Sequence, residues 1–140
     1  MRIFILSVMV SVVLQTTAGY TEEAKAKENE SLIKVEMRLL NAAFINLVNA
    51  LVLNNPKAIE EPFHEVHKAK AGTEKAIKKG ELKLPKNSDK MKQFIEMDER
   101  FHKEMEALIA ASRKGDMKKI QDVTHKLLDG CVQCHTMFRN

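Results

Sequence analysis

Beyond residue 30 the apolar residues of this chain recur every three or four positions, and strand-like alternation is missing. From Ser31 to Leu53, the residues Ile33, Met37, Leu40, Phe44, Leu47 and Leu51 step by four and three. That is the seam of a helix packed lengthwise against others, and Asn54-Asn55-Pro56 ends it. A second helix is predicted from about Pro56 to Lys79, with Ile59, Phe63, Val66 and Ile77 on one side, Gly80 as its stop, and Pro62 placed to start or kink it. A polar loop then leads to a third helix capped by Ser88 or Asp89. It carries Met91, Phe94, Ile95, Phe101, Met105, Leu108 and Ile109 up to the break at Gly115. Asp116 is placed to cap the fourth, on which Met117, Ile120, Thr124, Leu127, Cys131, Cys134 and Phe138 again step by three and four. Four amphipathic helices with short connections predict an all-α fold, an antiparallel up-down-up-down four-helix bundle.

The N-terminus follows a different pattern. Arg2 precedes an unbroken apolar run from Ile3 to Leu14, and the small residues of "QTTAGY" follow, the order of an export signal over residues 1–18 with cleavage near Ala18 or Gly19. The run is shorter than the ~20 residues of a membrane-crossing helix, so stable membrane insertion is not expected. Residues 19–140 then form one domain with one core, and the mature chain lies in the periplasm or another oxidising compartment. The leader removes only Arg2 from 23 basic residues and nothing from 19 acidic ones, which leaves the remainder mildly basic. With one Tyr, no Trp and both charge signs scattered, the composition excludes a nucleic-acid binder.

The chemistry concentrates in the last twelve residues, "DGCVQCHTMFRN", which contain both cysteines of the chain. On a helix, Cys131 and Cys134 lie one turn apart and His135 is four residues from Cys131, so all three project toward one side. Two thiols at this spacing can form thioethers with the vinyl groups of a haem while the adjacent imidazole reaches the iron, which is why CxxCH marks covalent haem attachment. A thiol redox pair usually opens a helix in a βαβ setting, whereas this pair closes one in an all-α chain. A zinc site would need a further ligand, for instance from "HEVH" at His64 to His67, at a spacing unlike the usual signatures.

With the bundle and this motif placed, the chain resembles the class II cytochromes c, the cytochrome c prime family and its low-spin, methionine-ligated relatives. The resemblance rests most on "RKGDMKKIQDVTHKLLDGCVQCHTMFRN", where a helix-breaking Gly-Asp precedes a basic amphipathic helix with CxxCH close to its end, then Phe138 and Arg139. It implies one covalent haem c on Cys131 and Cys134, His135 as the proximal ligand, Arg139 beside the proximal face, and the first helix across the distal face. In the family a first-helix residue about nineteen positions before a loop proline points at the iron, and counting back from Pro56 reaches Met37. Ile33 stands where an arginine is often found, and the haem-facing Trp is absent. Met37 as sixth ligand gives His/Met ligation, which raises the reduction potential and suits electron transfer. Met37 as core or pocket lining leaves a five-coordinate iron open to NO or CO.

Other groups compete for a role. His64 and His67 are alternative sixth ligands. The Glu-x-x-His pairs Glu61/His64 and Glu99/His102 resemble half of a di-iron bundle site, but that site also needs an inward carboxylate from each remaining helix, and Glu36 and Asp122 lie off the apolar stripes. His102 and His125 read as surface or flanking residues. Nine lysines between Lys68 and Lys92 form a patch suited to an acidic redox partner. The expected protein is therefore a monohaem electron carrier, not an enzyme, that works with redox partner proteins. Homodimerisation through the first two helices is implied by the resemblance.

Overall fold

The computed structural model describes residues 31–139, and every regular element among them is helical. Helix α1 spans Leu32–Val52, α2 Glu60–Lys78, α3 Met91–Lys114 and α4 Met117–Phe138. Single 3-10 turns at Pro56–Ala58 and Ser88–Lys90 precede α2 and α3. The expected export signal over residues 1–18 and the expected first part of the domain, residues 19–30, lie outside the described residues.

The breaks follow from residues able to leave the right-handed region. Asn54, Gly80, Asn87 and Gly115 all take positive φ, at 49°, 69°, 54° and 66°. After α3, the N–H groups of Gly115 and Asp116 donate to Ser112 and Ala111 at 3.0 and 3.1 Å, closing the last turn. Asp116 then accepts from the Lys119 N–H at 2.9 Å and caps α4, as the sequence predicts. Asp116→Ala is expected to lower stability by about 1 kcal/mol in a denaturant titration, with the slope unchanged.

Two local expectations are corrected. Pro62 neither starts nor kinks α2; it is the third residue of the helix, where its missing N–H would have had no intrahelical acceptor. Neither Ser88 nor Asp89 caps α3. The Ser88 hydroxyl donates back to the Leu84 carbonyl at 2.8 Å, and Asn87 donates to the Met137 carbonyl at 2.6 Å, tying this loop to the end of α4.

Helix α1 packs along α2 and α3 along α4, while α2 meets α3. The main core gathers Leu40, Leu47, Phe63, Val66, Met105, Leu108, Ile120, Val123 and Leu127. A second apolar cluster holds Ala76, Leu82, Leu84, Phe94, Met97 and Phe138, with Ile33, Ile77 and Cys134 against it. The buried row of α1 is Glu36, Leu40, Ala43, Leu47 and Ala50. Of the predicted seam, Ile33, Met37, Phe44 and Leu51 are only half-buried. The helix turns its small alanines inward, where they permit close approach, and the larger side chains flank them. This rotation carries Glu36 into the interior, at 2% exposure, contrary to its expected place off the inward stripe.

Candidate functional site

The last turns of α4 bring together four of the residues singled out from the sequence. Cys131 and Cys134 are free thiols, both half-buried. Cys134 joins the second apolar cluster beside Phe94, Met97 and Phe138. Burial, with the Asp98 carboxylate and Cys131 adding to it, pushes the Cys134 thiol up to about 11, and burial raises Cys131 as well. Both are protonated thiols at neutral pH. His135 is exposed on the same helix, and desolvation followed by the charge of Arg139 holds its pKa below the ordinary value. A neutral imidazole is the form that binds a metal. Arg139 closes the helix, its N–H donating to the His135 carbonyl at 3.0 Å. Gly130 matters just before the motif, because a Cβ there would sit 3.1 Å from the Phe101 ring.

Met37 is half-buried on α1 and packs against the main core, whereas Cys134 belongs to the second cluster; Ile33, one turn earlier, is the α1 residue that joins Cys134 there. His64 is drawn elsewhere. Its Nε2 lies 3.1 Å from Glu60, which also receives Arg113 at 2.6 Å. Arg113 stands fifteen residues along α3 from Asp98, roughly 22 Å at the helical rise, so His64 sits far from the thiols. The Arg113 guanidinium and His64 together hold the Glu60 carboxyl down at about 2.

A buried polar layer, which the sequence reading missed, joins α1, α2 and α3. His102, expected at the surface, is 3% exposed. Its Nε2 is 3.1 Å from Glu36 Oε1 and 3.5 Å from Asp98 Oδ1, and its Nδ1 is 3.3 Å from His67 Nδ1. Thr73 donates its hydroxyl to the other Glu36 oxygen at 2.6 Å. Burial disfavours a charge on His102, but the hydrogen bonds it donates to Asp98 and Glu36 outweigh that and raise the pKa; His67 is lowered, by burial and by the His102 charge. Among the described residues no buried side-chain polar atom lacks a partner. The Glu-x-x-His pairs do not assemble, because Glu61 and Glu99 both face solvent. His125 is exposed, as expected. The signal that could have found the layer was the i, i+4 pair Asp98/His102 among apolar neighbours, together with Glu36 on the long arc of α1.

A groove of about 460 Å³ between α3 and α4 is lined by residues such as Arg100, Val132 and Met137 and includes neither cysteine. No protein-family model matches this chain, and no curated protein or solved structure matches it.

Proposed function

We propose that this chain is an exported monohaem c-type cytochrome that passes single electrons between partner proteins. The observation that carries the reading is the C-terminal CxxCH on one helix, with two free, half-buried thiols, Cys134 packed against an apolar cluster, and an accessible imidazole beside them that is held neutral. This donor set suits a porphyrin, which needs thiols for its vinyl groups, apolar contact for its ring and a nitrogen for its iron. It suits a structural zinc poorly, because such a site takes four protein ligands and the motif offers three.

In this reading Cys131 and Cys134 hold haem c covalently, His135 is the proximal ligand, and Arg139 places positive charge beside the proximal side. Bound there, the haem supplies one-electron Fe(II)/Fe(III) chemistry. The protein positions the imidazole, excludes water through Phe94, Met97 and Phe138, and sets the potential through the axial ligands. The antiparallel arrangement of the bundle is part of the proposal; the Glu60–Arg113 pair, joining the start of α2 to the end of α3, supports it. The exposed lysines from Lys68 to Lys92 suit an acidic redox partner. The exposed row Ile45, Val48 and Val52 on α1 suits a homodimer through the first two helices.

A second reading, a five-coordinate haem that binds NO or CO, is favoured by one observation: Met37 already packs in a different cluster from Cys134. One preparation tests both. The chain is produced in a host able to ligate haem, washed with acid–acetone and weighed. The expected result is a coloured protein heavier by one haem, and a colourless protein of bare-peptide mass overturns the proposal. A ferrous spectrum unchanged by CO assigns Met37 to the iron, and Met37→Leu then opens the site to CO. A wild-type spectrum that shifts with CO assigns the gas-binding form.

A further inference from the structure

We propose that Glu36, Asp98 and His102 form a mononuclear site for a divalent transition-metal ion of the Zn²⁺ type, separate from the CxxCH motif. The three ligand atoms lie within 4.8 Å of one another, on α1 and on successive turns of α3. Tetrahedral coordination at the usual zinc bond lengths spaces neighbouring ligand atoms about 3.3 Å apart. Here His102 Nε2 lies 3.1 Å from Glu36 Oε1 and 3.5 Å from Asp98 Oδ1. An ion bound between these atoms needs little rearrangement of the side chains.

The surrounding groups are those a metal site requires. A ligating histidine binds through one ring nitrogen and donates from the other, which fixes its tautomer. His102 meets the carboxylates through Nε2 and offers Nδ1 to His67 at 3.3 Å. A ligating carboxylate is likewise held by its free oxygen, and Thr73 holds Glu36 Oε2 at 2.6 Å. One nitrogen and two carboxylate oxygens match Zn²⁺, Fe²⁺ or Mn²⁺ better than Ca²⁺, which takes six to eight oxygens. Three protein ligands leave a fourth position for water or a small ligand. The layer joins α1 to α3, so an ion there cross-links helices that are not neighbours in the chain.

The inference does not depend on haem attachment, since it uses none of Cys131, Cys134 or His135, and haem is scored separately by mass. Mature full-length protein, stripped with chelator, is titrated with Zn²⁺ by calorimetry, and bound zinc is counted after dialysis. The expected result is one Zn²⁺ per chain with Kd below about 1 µM, a rise in melting temperature, and no response to Ca²⁺. Asp98 is part-exposed, and Asp98→Asn keeps its shape, so this variant should fold with native helicity and bind about 10–100-fold more weakly. Thr73→Val should weaken binding without touching a ligand. His64→Gln should bind as the wild type does. Absence of tight binding in the wild type overturns the proposal, as does binding by Asp98→Asn as tight as the wild type's or binding lost in His64→Gln.

Discussion

Replacing His102 by alanine is expected to destabilise the metal-free protein by about 3–5 kcal/mol, because it strands the Glu36 carboxylate in the interior without its counter-charge. Exposed substitutions elsewhere on α3 should stay within about 0.5 kcal/mol. The double variant Glu36→Leu/His102→Leu should recover most of the loss, since it removes the charged partners together and fills their volume with apolar atoms. Denaturant unfolding in chelator-containing buffer measures both. A single-variant loss below about 1 kcal/mol would show that the layer is neither charged nor dry. The pH dependence follows from the raised His102 pKa. The group faces Glu36 from α1, His67 and Lys70 from α2, and Asp98 from its own helix. A histidine raised on folding contributes stability in full below its unfolded value near 6.5, and loses that contribution as pH rises through the folded value. The wild type should therefore lose stability from about pH 6.5 upward, through the folded value, relative to the double variant.

Phe63→Ala is expected to remove a comparable amount, about 3–5 kcal/mol, through a different mechanism. Phe63 is fully buried in the main core, and its ring meets Phe44 edge-on with centroids 5.8 Å apart. Truncation loses the transfer energy of the ring, leaves a cavity and forfeits the aromatic pair. Phe63→Leu should cost about half as much or less, because most of the volume survives. A shift in the denaturant midpoint corresponding to less than about 1.5 kcal/mol for Phe63→Ala would mean that the helices collapse onto the space.

Much of the fold was legible before any coordinates. The periodicity located four helices, and their ends at Asn54, Gly80 and Gly115 coincide with positive φ, which few residues tolerate. Asp116 was readable as a cap because its role depends only on residues three positions away. Ser88 was not, since its hydroxyl turned back to the loop that Asn87 ties to α4. The α4 motif was also legible, because the spacing of Cys131, Cys134 and His135 on a helix is a local property.

The buried layer escaped for the opposite reason. Glu36, Thr73, Asp98 and His102 are acceptable on an exposed helix face, and the one local signal, Asp98 four residues before His102, does not say which residues of α1 and α2 meet that pair. Their grouping requires α1 to rotate its alanines inward, and it requires α2 and α3 to bring Thr73 and His102 to the same level. By itself the sequence determined the helical class, the breaks and the disposition of thiols and imidazole along α4, all of which depend on interactions within one or two turns. Only the tertiary structure decided which side of α1 faces inward, and hence that a carboxylate there is compensated by a histidine sixty-six positions away. That choice balances the burial and packing of whole helices, and periodicity along a single helix does not contain it.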